Sequence, residues 1–368
     1  MRVGFDVTSL CSGLPSGVAT YTSNLFAHLV DLSRRSSGDD GNLLVPLAHR
    51  PVEDLPGGLY GHHLNKTLWM HLVLPGQLAR RGVTLCHFTN SVASLWTPCP
   101  TVVTIHDATL WLFPQHHYVR RLLTMRPFIP PAARRAAAII AVSETTRRDI
   151  VRLFGVPADK VRVIYEAPAP CFRPLERKLV ELVRQRYRLP PHFVLYVGTL
   201  EPRKNLVRLL KAFARVRKEA AVPHHLVLVG QRGWKSAPIF QAIQCLGLTK
   251  VVHVLGYVPT SDRVALYNAA DVFVFPSVYE GFGLPVVEAM ACGAPVLASR
   301  AGAIAEVAGE AAELVDPLCV EEIAVGLCRL LTDPERRTEL RRRGLARART
   351  FSWFRAAQET WAIYQEVM

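Results

Sequence analysis

Several features that would have settled the class of this chain are missing from it. No two of its cysteines stand in a C-x-x-C pair: Cys11, Cys86, Cys99, Cys171, Cys245, Cys292, Cys319 and Cys328 are scattered. A chain of 368 residues can bury a core without covalent staples, so these are expected to be reduced, mostly buried thiols. No apolar run approaches the roughly 18 residues needed to cross a bilayer, which excludes an integral membrane anchor of the helical kind. The opening MRVGFDVTSL reads as a first strand rather than a charged segment leading into an apolar one, so no export signal is expected and a cytoplasmic location follows. There is no repeat of solenoid length and no low-complexity tract. Gly13, Gly17 and the residues after them do not fit G-x-G-x-x-G, which argues against a dehydrogenase. Acidic residues are also scarce relative to basic ones, leaving a formal charge of +14. The excess divides evenly, with 18 basic against 11 acidic residues through Arg173 and 26 against 19 beyond it. A field of that kind favours anionic small molecules, phosphorylated lipids or acidic membrane surfaces without choosing among them.

What remains is a folded chain, half hydrophobic and a fifth charged, long enough for two cores. Its first half alternates strand-like runs (RVGFDVTSL, LLVPLA, VTLCHF, TVVTIHD, AAIIAVS, KVRVIY) with helical patterning. The second half does the same with HFVLYVGTL, HHLVLVG, VVHVLGYV, DVFVFPS, APVLAS and AAELVD. Such alternation predicts two Rossmann-like, doubly wound α/β domains, each a parallel sheet covered by helices. Three prolines in EAPAPCFRP, residues 166–174, mark an interdomain linker. The expected organisation is an N-terminal domain over 1–170, a C-terminal domain over 171–348, and a terminal helix over 349–368. Phe351, Phe354, Trp361, Ile363 and Tyr364 would line the apolar face of that helix as it crosses back to the first domain.

Ligands of open parallel sheets bind beyond the carboxyl ends of the strands, so residues just after strands carry the most information. In VFPSVYEGFGLPVVEAMACGAPVLAS a strand ends near Pro276 and a glycine-bearing loop enters a helix at Pro285. Gly281 and Gly283 allow close backbone approach, and the amides of Phe282, Gly283 and Leu284 face a helix N-terminus that favours phosphate or sugar oxygens. Glu280 and Glu288 lie eight residues apart, and both carboxylates can accept hydrogen bonds from vicinal hydroxyls. In VGTLEPRKNLVRLLKAF, Arg203 and Lys204 stand before a helix expected to be capped by Asn205. Two cations at that entrance suit a diphosphate and the charge that builds on it as a leaving group. His106 and Asp107 end a strand on the same kind of edge, and Ser143 reads as a helix N-cap.

Taken with GFGLP and ACGAPVLAS, the glutamate pair resembles the E-x7-E signature of retaining GT-B glycosyltransferases, family 4 in particular, and the likeness extends over nearly the whole chain. The resemblance implies that Glu280 contacts the donor sugar, that Glu288 binds the ribose hydroxyls, and that Arg203 and Lys204 match the family's phosphate-binding element. It implies further that the backbone of Gly256, Tyr257 and Val258 lies against the nucleobase, and that the loop of Gly13, Ser16 and Gly17 contacts the donor phosphates. By the same likeness His106 lies near the donor sugar and Asp107 shapes the site. Gly230 would permit close approach near the nucleotide, with Gln231 to Trp234 lining the same cleft, and Arg147 would be available for acceptor anions.

The chemistry expected is transfer of a hexose with retention by the front-face route, the departing diphosphate taking the acceptor proton. No D-x-D motif stands beside the diphosphate residues, and Arg203 with Lys204 can replace a divalent cation, so neither a metal nor a resident cofactor is expected. By resemblance to mannosyltransferase-like members that assemble surface polysaccharides, the donor would be GDP-mannose and the acceptor a saccharide or lipid-linked saccharide. UDP-glucose or another hexose nucleotide is the alternative. A sugar-nucleotide epimerase or hydrolase on the same scaffold is a rival within enzymes. A basic nucleic-acid or membrane-binding protein is the rival outside them, and of these nucleic acid is not expected as a partner. The stretch YVRRLLTMRPFIPPAARRAAAII has paired arginines around apolar residues, a pattern compatible with peripheral contact at the inner face of an acidic membrane.

Overall fold

Runs of β-branched and aromatic residues bounded by turn formers become strands in every place the alternation marks. A computed structural model of the chain describes residues 1–12, 16–36, 43–52, 55, 57–61 and 65–368. The chain divides into two compact units, 1–166 together with 352–368, and 167–351. Gly13 of the glycine-bearing loop lies outside the described residues.

The first unit holds β1 (Arg2–Asp6), β2 (Leu43–Ala48), β3 (Leu59–Tyr60), β4 (Leu85–Phe88), β5 (Thr101–Ile105), β6 (Ala138–Ala141) and β7 (Val161–Val163). They form a parallel sheet in the order β3-β2-β1-β4-β5-β6-β7. β3 is too short to carry a periodicity of its own, which is why sequence patterning passes over it. The second unit holds β8 (Phe193–Val197), β9 (His225–Val229), β10 (Val252–Gly256), β11 (Val272–Phe275), β12 (Val296–Ser299) and β13 (Glu313–Val315). Its sheet is also parallel, ordered β10-β9-β8-β11-β12-β13. In both sheets the central strands are buried along nearly their whole length, as helices on both faces require.

Strand order decides where ligands can go. Each sheet winds outward in both directions from its first strand, so loops diverge at the β1/β4 boundary in the first unit and at β8/β11 in the second. At such a switch point a crevice opens beyond the carboxyl ends of the two strands. The loop after β8 carries Arg203 and Lys204, and the loop after β11 carries Glu280.

The terminal helix, Trp353–Glu366, is capped by Ser352 and belongs to the first unit. Its buried stripe runs through Trp353, Ala356, Ala357, Thr360, Trp361 and Tyr364, an i, i+3, i+4 series. Tyr364 joins its hydroxyl to His87 Nδ1 at 2.6 Å, and Trp353 packs edge-on to Tyr21. Phe354, expected on the apolar face, is 42% exposed, because one residue beyond Trp353 lies about 100° around the helix. The thiols also differ from expectation. All eight are free, but only Cys86 and Cys292 are buried, while Cys171 and Cys245 are exposed, since most stand in helices and loops rather than in sheet interiors.

Candidate active site

The centre of the second unit is an ion-pair cluster at the β8/β11 switch point. Arg203 and Lys204 lie on a single helical turn, Pro202–Lys204, that follows β8. Lys204 Nζ reaches Glu280 Oε1 at 2.6 Å, and Arg203 reaches Glu280 Oε2 at 2.6 Å. The Arg203 guanidinium also donates to Glu201 at 2.9 Å and to the carbonyl of Tyr279 at 2.8 Å. Lys204 Nζ stands 5.0 Å from the centre of the Phe275 ring, which adds a cation–π contact from the last residue of β11. The three side chains are nearly buried. Burial works to raise the Glu280 pKa, yet the charges of Arg203 and Lys204 outweigh it and hold the carboxyl at about 2. Lys204 moves the other way: desolvation and the neighbouring Arg203 push its pKa below the usual value, against the pull of Glu280 and Glu201.

Main-chain packing fixes Glu280 in place. Ala303 donates its N–H to the Glu280 carbonyl at 3.1 Å. Gly302 adopts φ +63, and a Cβ there would fall 2.9 Å from both the amide nitrogen and the carbonyl oxygen of Glu280. Only glycine lets the loop after β12 approach this closely. Gly283, at φ +106, occupies the N-cap position of the helix Leu284–Ala291, with Pro285 in its first turn. Phe282 is buried edge-on to Phe351, so the loop carrying the two glycines is anchored by its aromatic residue.

Glu288 lies on that helix in different company. Its Oε2 accepts from the Tyr267 hydroxyl at 3.0 Å, and its Oε1 lies 3.5 Å from Arg263. Burial raises its pKa, and the Arg263 charge and the Tyr267 hydrogen bond only partly offset that. Arg263 and Tyr267 stand four residues apart on the helix Thr260–Ala269, hence on one face of it. That helix follows β10 directly, after Tyr257, whose side chain is half exposed, and Val258, which is buried. The two glutamates of the motif therefore belong to two separate polar clusters.

One expectation fails in this unit. Asn205 occupies the N-cap position of the helix Leu206–Ala220 but does not cap it with its side chain. With φ at +62 its amide turns away from the first helical N–H groups and donates instead to the carbonyls of Pro276 and Pro317, tying the loops after β11 and β13 to the cation turn. Gly230 is required by the protein's own packing. At φ +143 a Cβ there would meet the Gly198 carbonyl oxygen at 2.0 Å, and its N–H donates to the Gly256 carbonyl at 2.8 Å.

In the first unit, His106 follows β5 and is almost fully enclosed. Its Nδ1 lies 3.1 Å from Glu166 Oε1 and its Nε2 lies 2.8 Å from the Thr89 carbonyl. Two acceptors on opposite ring nitrogens require a proton on each, so the geometry selects the imidazolium. Burial opposes the charge, but the Glu166 hydrogen bond and charge and the Thr89 carbonyl outweigh it and leave the pKa raised. Tyr21 packs edge-on against the ring at 4.8 Å. Asp107 accepts from the N–H and hydroxyl of Thr109 at 2.9 and 2.6 Å, holding the turn into the helix Thr109–Leu112. Gly17 begins the helix Gly17–Ser36. Ser143 caps the helix Glu144–Phe154 by accepting from the Thr146 N–H at 3.0 Å. Arg147 donates to the carbonyls of Val161 and Ala158 and to Glu144, which clamps the turn before β7.

Sequence reasoning missed Glu201, Arg263, Tyr267, Glu166 and Gly302. Glu201 sits inside the cation motif, two residues before Arg203, and that spacing was a legible signal. The others come from segments remote along the chain, where nothing local marks them.

Two family models match the chain: Glycosyl transferases group 1 over residues 182–347 and Glycosyltransferase Family 4 over residues 15–167. The chain is 36% identical to the O-antigen chain mannosyltransferase B of Escherichia coli over 265 residues, covering 72% of this chain and 70% of that protein. It is 32% identical to the serotype-specific mannosyltransferase WbdA of Escherichia coli over 231 residues, covering 61% of this chain but only 28% of the much longer relative. Among solved structures, Anabaena Alr3699/HepE in complex with UDP-glucose aligns over 100% of both chains with a TM-score of 0.79 at 22% identity, a likeness of fold. Two parallel-sheet units with this connectivity, each matched over most of its length by one of these models, together with the 36% identical relative, establish that the chain belongs to the group 1, family 4 glycosyltransferases of GT-B fold.

Proposed function

We propose that this enzyme transfers mannose from GDP-mannose to a saccharide or lipid-linked acceptor in surface polysaccharide assembly, with retention of anomeric configuration. The observation that carries this reading is the buried Arg203–Lys204–Glu280 constellation at the switch point of the second sheet. Two cations beside a helix entrance supply the counter-charge of a diphosphate, and their protein partners hold them in place while no donor is bound. Glu280, held ionised, accepts hydrogen bonds from the hydroxyls of the sugar. Glu288, eight residues on, receives the ribose hydroxyls beside Arg263 and Tyr267, and the main chain at Tyr257 and Val258 borders the base. As the anomeric C–O bond breaks, the electron pair leaves with the diphosphate, whose negative charge Arg203 and Lys204 stabilise. The acceptor oxygen attacks the same face and its proton passes to the departing phosphate oxygen. His106, as an imidazolium, presents fixed positive charge in the first unit. Mannose is favoured over other hexoses because the two curated relatives above are named as mannosyltransferases.

The test is a thermal-shift panel of GDP, UDP and ADP followed by donor turnover with and without acceptor. GDP should give the largest stabilisation, and GDP-mannose should be consumed only when acceptor is present. A larger shift with UDP would move the donor to UDP-glucose or a related hexose nucleotide. Consumption without acceptor would favour the hydrolase reading, and no interaction with any nucleotide would end the proposal.

A surface of the first unit supports peripheral attachment to an acidic membrane at the cytoplasmic face. Leu72, Trp96, Tyr118, Val119 and Leu123 are all exposed. His71 stacks on Phe128 at 5.4 Å and its Nδ1 accepts the Leu95 N–H at 3.3 Å, which brings the three segments together. From Gly61 to Ser143 the only acidic residue is Asp107, against Lys66, Arg80, Arg81, Arg120, Arg121, Arg126, Arg134 and Arg135. Apolar side chains ringed by cations suit insertion among anionic headgroups. Among the described residues no helix is long and apolar enough to cross a membrane. Flotation with anionic but not with neutral vesicles is the expected result, and equal behaviour with both would remove this part of the reading.

A further inference from the structure

The opposite edge of the second sheet carries a cluster that sugar transfer does not use. His192 immediately precedes β8, His224 immediately precedes β9 and Asp271 immediately precedes β11. Because β9, β8 and β11 are adjacent and parallel, these three residues gather at the amino ends of the strands, whereas Arg203, Lys204 and Glu280 follow the carboxyl ends. His192 Nδ1 lies 3.4 Å and His224 Nε2 lies 3.7 Å from Asp271 Oδ2. One donor atom from each residue falls within 4.8 Å of the others.

We propose that His192, His224 and Asp271 form a binding site for a divalent transition metal of the zinc class, clamping the amino ends of β8, β9 and β11. Ligand geometry is the first argument. Zinc holds imidazole nitrogen and carboxylate oxygen at about 2.0–2.2 Å, so tetrahedral neighbours stand about 3.4 Å apart. Both histidine–aspartate separations already match that spacing, and only the two imidazoles must draw closer. His192 can make that movement, since its side chain is 56% exposed.

The second argument is an unmet need. His224 is buried, its Nδ1 has no hydrogen-bond partner among the described residues, and its Nε2 lies beyond hydrogen-bonding distance of Asp271. Nε2 thus faces Asp271 without bonding to it, in the position that a metal held between the two would fill. Asp271 is held rigidly, its Oδ2 accepting the Phe193 N–H at 2.9 Å, so the main chain orients the carboxylate as a supporting group does around a bound metal. Two histidines and one carboxylate leave a coordination position for water, so the class of ion is zinc, cobalt or nickel rather than calcium or magnesium, which prefer all-oxygen surroundings. A second histidine pair lies nearby in sequence. His225 Nδ1 and His253 Nε2 lie 2.8 Å apart, and that pair, satisfied internally, serves as the built-in control.

The experiment uses the full chain, stripped with chelator and titrated with Co2+ followed by its visible ligand-field absorption, with Zn2+ as competitor. One Co2+ per chain should bind, Zn2+ should displace it, and Zn2+ should raise the melting transition by at least about 2 °C. His192→Ala, at an exposed position that leaves the fold intact, should weaken Co2+ at least tenfold while melting like the metal-free parent. His225→Ala should bind as the parent does. Absence of stoichiometric binding by the parent would overturn the proposal, and so would binding that survives His192→Ala but disappears in His225→Ala. Because the readouts are metal absorption and melting, failure here leaves the transfer reading standing, and loss of transfer leaves this one standing.

Discussion

Glu280 and Glu288 share a motif, a unit and a buried setting, yet their surroundings drive them in opposite directions. Around Glu280 two cations approach within 2.6 Å and the carboxyl is held at about 2. Around Glu288 one hydroxyl and one more distant guanidinium do not recover the cost of burial, and its pKa rises. A carboxylate already ionised and braced is suited to a site where charge changes during reaction. One balanced closer to protonation is suited to exchanging hydrogen bonds with neutral hydroxyls. Equal spacing in sequence thus supplies two different tools.

The largest test of this contrast is the removal of a cation from the first cluster. Lys204→Ala should lower kcat for transfer by about 10²–10³, the usual cost of deleting one group that stabilises developing charge. Glu280→Gln should come next, with turnover falling roughly a hundredfold while nucleoside diphosphate affinity stays within about threefold, as read by steady-state kinetics beside calorimetry. The reverse split is expected of Glu288→Gln: affinity for nucleoside diphosphate falls about tenfold, equivalent to about 1.4 kcal/mol, and kcat changes little. Equal small effects of the two substitutions on both quantities would dissolve the comparison.

Acid unfolding separates the two glutamates in another way. The folded Glu280 carboxyl titrates at about 2 against an ordinary 4.5, so its contribution to stability is complete above 4.5 and drains away as pH falls toward 2. That difference is worth about 3 kcal/mol at most. Glu280→Gln should flatten stability across this window in urea titrations. Glu288 has the opposite sign, since its raised pKa makes ionisation costly in the fold and its contribution declines as pH rises through the folded value. The smallest effect belongs to Tyr267→Phe, which deletes one neutral donor to Glu288 and should weaken nucleotide binding by about threefold to tenfold, in keeping with about 0.5–1.5 kcal/mol for a hydrogen bond.

Much of this was legible beforehand. The longer strands announced themselves by β-branched runs, and the loops after β8 and β11 by glycine, proline and charge placed where a strand must stop. Ser143 could be read as a cap because the bond it makes is three residues away. The roles of Asn205 and Gly230 could not be read this way, since a left-handed backbone and a Gly198 carbonyl packed where a Cβ of residue 230 would lie arise only once separate segments are brought together.

By itself the sequence determined the two alternating α/β units, the family, and the residues at strand ends that carry charge, because periodicity and turn chemistry act over a few residues. Tertiary structure alone decided which charges meet. The order β9-β8-β11 sets Lys204 against Glu280 and, at the other edge, His192 and His224 against Asp271. Neighbours in a parallel sheet are chosen by the path of the crossovers, and no local pattern encodes that path.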